Sequence, residues 1–135
     1  MPDSVPRNTF RKPEKLCSQI QIDRLFADGK SLASKQFRLI YLESDEAGQP
    51  NVKVLIAVSK KNFKHAVSRN RMKRLIREAY RISKHKLLEE YKKLGKHCDI
   101  AFIFTGKKYA TQQETITAIN ELLDRLILTH EKNSE

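Results

Sequence analysis

Residues 68–81 read SRNRMKRLIREAYR, a stretch that combines dense positive charge with apolar side chains. Arg or Lys occupies six of these fourteen positions, and Glu78 is the only acid. Because an α-helix turns about 100° per residue, the two kinds of side chain fall on different sides. One arc carries Met72, Leu75, Ile76, Ala79 and Ile82; the opposite arc carries Arg69, Asn70, Lys73, Arg74, Arg77, Arg81 and Lys84, with Arg71 and Glu78 at the border. The stretch therefore predicts an amphipathic helix with one face in the core and a basic face outside.

The basic face of this helix repels itself. Arg69, Lys73 and Arg77 are like-charged neighbours four positions apart, and such pairs destabilise a helix. A merely solvated face, the alternative, would intersperse Glu among the basic residues, whereas a bound polyanion would supply the missing countercharge. The guanidinium of Arg also suits bidentate contact with phosphate. We therefore predict a nucleic-acid-binding surface, the basic ridge, formed by Arg69, Asn70, Arg71, Lys73, Arg74, Arg77 and Arg81, with Lys60, Lys61 and Lys64 as flanking contacts.

The composition supports a polyanionic partner. The 135 residues carry a net charge of +11, which favours nucleic acid or an anionic membrane surface. A membrane-binding helix would expose bulky apolar residues, but the apolar stripe here is assigned to the core, and the chain has no Trp. No apolar run is long enough to span a membrane. We therefore expect no membrane partner.

The chain is predicted to fold as one domain, over residues 16–129, between a flexible basic arm at 1–15 and a polar tail at 130–135. Ser18 is placed to begin a short helix that carries Ile22, Leu25 and Phe26, and Gly29 is placed to end it. The alternating segment 36–43 and the apolar segment 52–59 are predicted strands. The turn-forming residues 45–51 between them favour an antiparallel hairpin.

The second half of the chain continues this pattern of helices and strands. The apolar phase of the basic helix changes near Ser83, which predicts a bend or restart there before the helix ends at Gly95. Residues 98–106 are apolar on both faces, which is typical of a central strand. Thr111 and Glu114 form a capping box that begins a last helix. Amphipathic helices that cover a small sheet indicate the α+β class.

Two cysteines and the scattered acids offer no obvious chemistry. Cys17 and Cys98 are interpreted as small core residues, and without a Cys/His cluster no zinc site is expected. The sequence shows no His/Asp/Ser set that would form an active site. We therefore expect no catalytic residues and no protein-bound metal in this chain.

Residues 57–81, AVSKKNFKHAVSRNRMKRLIREAYR, closely resemble the protein subunit of bacterial ribonuclease P. The signature couples a strand that ends in Ser59-Lys60-Lys61 to a helix with Arg69-Asn70, Lys73-Arg74 and Arg77. The rest of the chain is similar more loosely. Two positions depart from the family pattern: residues 62–65 are one residue longer, and Ile22 and Ile40 stand where aromatic residues are common.

The resemblance implies a compact α-β sandwich, with a small mostly antiparallel sheet and a left-handed β-α-β crossover that carries the basic helix. It implies a cytoplasmic ribonucleoprotein that removes the 5′ leader from precursor tRNA. The partners would be the ribonuclease P RNA, which is the catalyst and binds Mg²⁺, and the precursor tRNA; DNA is not expected. The leader would lie in a cleft between the first helix and the sheet, formed by Ile22, Phe26, Lys35, Phe37 and Ile40.

Two other functions are compatible with the same basic ridge. A structural RNA-binding protein of ribosomal type would have the ridge but no associated reaction. A protein nuclease would need catalytic side chains, for which the sequence offers no candidates. The signature in residues 57–81 favours the ribonuclease P subunit over both.

Overall fold

The apolar segment His97–Phe104 lies in the interior of a four-stranded sheet, as its lack of a polar face predicts. This arrangement is seen in a computed structural model that describes residues 15–16, 18–44, 52–61 and 63–133. The predicted N-terminal arm apart from Lys15, Cys17, the predicted turn 45–51, Asn62 and the end of the predicted polar tail lie outside the described residues.

Three helices and four strands make up the described part of the chain. In chain order they are α1 (Gln19–Asp28), β1 (Lys30–Ser34), β2 (Phe37–Ser44), β3 (Val52–Val58), α2 (Ala66–Leu94), β4 (His97–Phe104) and α3 (Gln112–Asn133). The predicted helices and the strands near 36–43, 52–59 and 98–106 are confirmed. α3 continues to Asn133, so it includes four residues of the predicted polar tail.

The strand order in the sheet is β1-β2-β4-β3. β1 pairs with β2 and β2 pairs with β4, both antiparallel, while β3 pairs with β4 in parallel. The predicted hairpin between the segments 36–43 and 52–59 is therefore wrong, because β4 lies between these two strands. β4 is buried on both faces, which an interior place between two strands and beneath the helices provides. The unit β3-α2-β4 is a parallel β-α-β crossover, and its expected left hand stays a prediction.

β1 is a strand that the sequence pattern did not predict. Its residues, KSLAS, have no marked alternation of apolar and polar side chains, and only Ser34 is buried. Pairing with β2 and contact with α3 hold β1 in place. The contact with α3 includes a hydrogen bond of 2.7 Å, which the Ser34 hydroxyl donates to the Glu121 carboxylate. Non-local contacts therefore define this strand, which local propensity leaves undecided.

α2 is one continuous helix from Ala66 to Leu94, so the restart predicted near Ser83 is wrong. Its buried stripe runs without interruption through Met72, Ile76, Ala79, Tyr80, Lys84, Leu87 and Tyr91. Lys84 takes a core position in this stripe and is only 3% exposed, so it is not part of the basic face on which the helical wheel placed it. Because a Lys stem can pack as an apolar chain, the stripe continues through a residue that looks polar in the sequence.

Sequence signals set the helix ends. The Ser18 hydroxyl accepts a bond from the Gln21 amide at the start of α1, and Gly29 ends that helix. A Cβ at Gly29 would overlap the Leu25 carbonyl oxygen and approach Ile40 Cγ2 to 2.8 Å. Gly95 ends α2 with φ of 67°, a left-handed conformation that favours glycine.

Apolar residues cover both faces of the sheet. The larger core lies between the sheet, α2 and α3, and it contains Phe102 and Phe104 of β4. On the other face, α1 packs through Leu25 and Ile22 against Ala101 and Ile40. Cys98 is fully buried in the larger core, as predicted. The sheet with helices on both sides confirms the predicted α+β class.

Candidate RNA-binding site

The strands meet at one end of the sheet, where several basic residues follow them. Ser34, Phe37, Phe104 and Val58 lie in one row across the four strands. Directly beyond this row come the β1–β2 turn, the segment into α2 and the segment into α3. We call this region the basic end, for its exposed lysines Lys35, Lys60, Lys61, Lys64, Lys107 and Lys108.

Hydrogen bonds hold the segments of the basic end together. The Thr105 amide and hydroxyl both donate to the Gln36 carbonyl, at 2.9 and 3.1 Å, and the Ser59 amide donates to the Phe104 carbonyl at 3.3 Å. Gly106 is buried, and a Cβ there would overlap the Gln36 side chain. The lysines are thus carried by backbone segments that are tied to one another, so their charges act on one region of the surface.

The basic ridge begins at the basic end and continues along α2. Asn70, Arg71, Arg74 and Arg77 are exposed, while Arg69, Lys73 and Arg81 are partly buried. The geometry therefore confirms that these side chains occupy the side of α2 that faces away from the core.

Arg69 and Arg81 of the ridge form hydrogen bonds within the described part of the chain. Arg69 donates from Nη1 to the carbonyl oxygens of Phe63 and Lys64, each at 2.8 Å. This contact fixes the loop that precedes α2. Arg81 binds the carboxylate of Glu78 through Nε and Nη2, at 3.0 and 2.8 Å, so part of the positive charge at the far end of the ridge is neutralised.

The start of α2 concentrates positive potential. The backbone amides at a helix N-terminus carry partial positive charge, and acids in the first turn usually compensate it. The first turn of α2 has no acid, and its N-cap residue His65 makes no side-chain cap bond. Arg69 and Lys64 add full positive charges there. An anion such as a phosphate group would therefore be favoured at this end of α2.

The predicted leader cleft is only partly assembled. Ile22 and Ile40 are half-buried and pack in the small core beneath α1, and Phe26 of α1 is 47% exposed. Phe37 does not belong with them. Side chains alternate along a strand, so Phe37 faces the larger core, where it is 3% exposed and its ring centroid is 5.0 Å from that of Phe104. The assignment of Phe37 to the cleft is therefore wrong.

Lys35, also predicted to flank the cleft, lies at the basic end. It is exposed in the β1–β2 turn with φ of 54°. Hydrogen bonds from Thr111 lower the pKa of the Glu114 carboxyl, and the charge of Lys35 contributes to the same shift. Lys35 is thus close to the start of α3.

The sheet face that carries α1 extends beyond the small core. Arg38, Ile103 and Ala57 lie in one row there, next to the row of Ile40, Ala101 and Leu55. Arg38 is exposed, and Ile103 and Ala57 are half-buried. These three residues were not predicted as site residues, because their place depends on a strand order that the sequence does not reveal.

Four further residues at the basic end were also missed: Lys107, Lys108, Phe63 and Tyr109. Lys107 and Lys108 follow β4 just as Lys60 and Lys61 follow β3, and the parallel pairing of these strands brings the two lysine pairs to the same end. A search for basic residues after each predicted strand would have found them. Phe63 and Tyr109 pack together, with ring centroids 5.3 Å apart.

The opposite end of the sheet carries buried polar groups. The Tyr91 hydroxyl donates to the Glu43 carboxylate at 2.8 Å, and the His97 and Asp99 side chains are 2.7 Å apart. Burial raises the pKa of the Tyr91 phenol and of the Cys98 thiol.

Within the residues that the structure describes, no group of three or more His, Cys, Asp or Glu side chains could hold a metal ion. No helix in that part of the chain is long and apolar enough to cross a membrane.

Comparisons with known proteins agree with this geometry. The sequence model of the family described as Ribonuclease P matches residues 10–127. The chain is 44% identical over 107 residues to the ribonuclease P protein component of Chlorobium phaeobacteroides, covering 73% of each chain. It is 32% identical over 123 residues to that of Porphyromonas gingivalis, covering 91% of this chain and 90% of the relative.

Solved structures show the same fold. The RNase P protein of Staphylococcus aureus superposes with a TM-score of 0.68 at 26% identity, covering 85% of this chain and 96% of that one. The RNase P protein of Thermotoga maritima gives a TM-score of 0.63 at 26% identity, covering 83% and 96%. A structural RNA-binding protein of ribosomal type is not favoured by these matches. The chain belongs to the ribonuclease P protein family.

Proposed function

We propose that this chain binds the catalytic RNA of ribonuclease P and the 5′ leader of precursor tRNA, and so supports removal of the leader. The observation that carries the proposal is the continuous basic surface from the lysines of the basic end along α2. Membership of the ribonuclease P protein family supports this choice of RNA partners. We place the protein in the cytoplasm, with its RNA partners.

The basic ridge is proposed to bind the catalytic RNA. Its exposed members Arg71, Arg74 and Arg77 project from a helix that a buried apolar stripe fixes against the sheet. A rigid support holds the guanidinium groups at fixed spacings, which suits repeated contact with phosphates. Arg69 has a second role, because its bonds to the Phe63 and Lys64 carbonyls set the shape of the loop that holds Lys60, Lys61 and Lys64.

The leader is proposed to lie on the sheet face beside α1. Ile22, Phe26 and Ile40 offer apolar and aromatic surface there, and Arg38 offers a positive charge in the neighbouring row. Unpaired bases stack on such aromatic side chains, while basic side chains contact the backbone. With Phe37 in the larger core, Phe26 is the aromatic residue of the predicted set that is exposed for stacking.

Chemistry is proposed to belong to the RNA subunit, with Mg²⁺ bound mainly by RNA. The described residues contain no acidic or His cluster fitted to a metal ion, so the protein would not be its principal ligand. Bound Mg²⁺ would supply charge stabilisation at the scissile phosphate. The protein's own part is to position the precursor and to neutralise phosphate repulsion between the two RNAs.

Reconstitution tests this function directly. The protein is mixed with a bacterial ribonuclease P RNA and a leader-bearing precursor tRNA at low Mg²⁺ concentration. We expect faster cleavage than with the RNA alone, and no cleavage by the protein alone. Equal rates with and without the protein would refute the function, and cleavage by the protein alone would refute its assignment to the RNA.

A double variant that replaces Arg74 and Arg77 with Ala identifies the ridge as the RNA contact. Both side chains are exposed, so the fold should be unaffected. The salt dependence of binding to the catalytic RNA should weaken by about 0.7–0.9 in log–log slope for each phosphate that the variant no longer neutralises. The matched control replaces Lys92 and Lys93, exposed basic residues in the last turn of the same helix. Equal effects of the two double variants would show a non-specific contribution of charge.

A further inference from the structure

A row of aromatic contacts leads from the larger core to the surface at the basic end. Phe37 contacts Phe104 at a centroid distance of 5.0 Å, Phe104 contacts Phe63 at 5.6 Å, and Phe63 contacts Tyr109 at 5.3 Å. The three phenylalanines are buried, with exposed fractions of 3% at Phe37, 0% at Phe104 and 6% at Phe63, whereas Tyr109 at the end of the row is 43% exposed. The Tyr109 ring is therefore held from below by the core and partly open above.

The guanidinium of Arg71 lies over this ring, with its Cζ atom 5.1 Å from the centroid of Tyr109. Arg71 is itself exposed. A cation–π contact at an exposed site is weak, so it orients the guanidinium but leaves it able to move when RNA binds. The pair joins the basic ridge on α2 to the segment between β4 and α3.

An aromatic ring and a guanidinium plane are the two protein surfaces on which unpaired RNA bases stack. Lys107 and Lys108, immediately before Tyr109 in the chain, are exposed and would hold the phosphates that flank such a base. A contact that served only to fasten the loop would gain most from burying the ring, yet nearly half of the Tyr109 side chain remains accessible. The other three tyrosines, Tyr41, Tyr80 and Tyr91, are buried.

We propose that Tyr109 and Arg71 form a stacking site for one unpaired base of the bound RNA. The proposal rests on the RNA-binding function proposed above. The base stacks on the Tyr109–Arg71 pair, and neighbouring lysines bind its phosphates. The site differs from the leader cleft beside α1, since it is built from α2 and the segment before α3. Its base comes from either the catalytic RNA or the precursor.

Three variants test the stacking site: Tyr109→Leu removes the ring, Tyr109→Phe keeps it without the hydroxyl, and Arg71→Lys keeps the charge without the plane. Affinities are measured over a range of salt concentrations, first for the catalytic RNA and then, with that RNA present, for the leader-bearing precursor. We expect Tyr109→Leu to weaken one of them about 5- to 100-fold with an unchanged salt slope, because the variant cannot stack but still neutralises the same phosphates. Tyr109→Phe should bind like the wild type, and Arg71→Lys should bind more weakly at an equal slope.

The affected RNA identifies the source of the base. Thermal melting of each free variant checks that the fold is retained. If Tyr109→Leu binds both RNAs as tightly as the wild type, the stacking site is refuted while the RNA-binding function stands. If the wild-type protein itself neither binds the catalytic RNA nor accelerates cleavage, the proposed function is what fails.

A fluorescent variant provides a second, independent measurement. The chain contains no Trp, so Tyr109→Trp introduces a single tryptophan at the site. Stacking on a base should quench its emission when RNA is added. Phe26→Trp, at an exposed aromatic residue of α1, is the matched reporter for the leader cleft. An emission of Tyr109→Trp that neither RNA changes, under conditions where the protein is fully bound, would contradict the proposal.

Discussion

Arg69 donates from Nη1 to the carbonyl oxygen of Phe63 at 2.8 Å, and so fastens the loop before α2 to the helix itself. The same nitrogen reaches the carbonyl of Lys64. A residue that the sequence marks as an RNA contact therefore also stabilises the protein. This double role distinguishes Arg69 from the more exposed arginines that follow it on the ridge.

Replacing Arg69 with Ala should lower the free energy of unfolding by about 1 kcal/mol, because the two carbonyl oxygens lose a charged donor. Arg74→Ala is the matched control, since Arg74 is exposed on the same ridge, and its stability should stay near that of the wild type. Denaturant unfolding measures both. Equal stability of the two variants would show that the Arg69 bonds contribute nothing to the fold.

Phe26→Ala should leave stability almost unchanged and reduce affinity for leader-bearing precursor more than for mature tRNA. The reason is that Phe26 is 47% exposed beside the proposed leader path. Phe37→Ala should do the opposite and lower the free energy of unfolding by about 3–5 kcal/mol, because it removes a buried ring. Affinities for leader-bearing precursor and for mature tRNA test the Phe26 variant, and denaturant unfolding measures the stability of both variants. An equal loss of affinity for both tRNAs in Phe26→Ala would contradict a leader contact.

Thr111→Ala should destabilise the start of α3 by about 1 kcal/mol, as expected for loss of an N-cap. The Thr111 hydroxyl accepts from the Glu114 amide and the Glu114 carboxylate accepts from the Thr111 amide, each at 3.1 Å. The hydrogen bonds that Thr111 makes to the Glu114 carboxylate lower the pKa of this carboxyl in the folded protein. Their contribution to the free energy of unfolding is therefore fully present above the pKa of Glu114 in the unfolded chain, and it is lost as pH falls through the lowered pKa of the folded protein. Thr117→Ala, at an exposed site inside the helix, is the control and should not destabilise. Because Ala at position 111 keeps the backbone amide that donates to Glu114, the acid limb is tested with Glu114→Gln, which has no carboxyl to titrate. Acid titrations of stability compare this variant with the wild type, and an unchanged acid limb would contradict the assignment.

Alkaline solution should destabilise the fold through Tyr91 and Cys98. Burial raises the pKa of both groups above the ordinary values of 10.0 and 9.0, so the unfolded chain releases these protons first. The free energy of unfolding should therefore fall as pH rises above about 9, with each group adding a slope of up to about 1.4 kcal/mol per pH unit. Tyr91→Phe should make this fall shallower between about pH 10 and 11, whereas Tyr109→Phe, at an exposed ring, should not. Identical slopes in the two variants would argue against a buried Tyr91 phenol.

Local sequence signals predicted much of the fold. Caps at Ser18 and Thr111, the glycines at 29 and 95 and the apolar periodicity of α2 define the helices, because these effects depend on residues a few positions apart. The apolar faces of β4 predicted an interior strand, but they did not show that its neighbours are β2 and β3, since hydrogen bonding between strands leaves no local signature. Lys84 concealed the continuity of α2, because a lysine at a core position resembles a break in the apolar pattern.

The residues of the candidate site also differ in whether local sequence signals could predict them. The ridge on α2 was predictable because helical geometry alone sorts its side chains. Phe37 was misassigned because β2 has one face toward the larger core and one toward the cleft, and the apolar character of a residue does not show which of the two faces it occupies. Tyr109 could be recognised only once the parallel pairing of β3 with β4 brought its segment beside α2.

The interior position of β4 also constrains the order in which the protein can fold. Residues up to Leu94 supply α1, the β1–β2 pair, β3 and α2, but within the described sheet β4 is the strand that joins β2 to β3. During synthesis β3 and α2 therefore cannot be joined to the β1–β2 pair until Phe104 has emerged, and α3 must still follow to close the larger core. Such non-local closure is slow and leaves apolar strand surface exposed in the meantime. The nascent chain is consequently most prone to aggregation just before its last strand is complete.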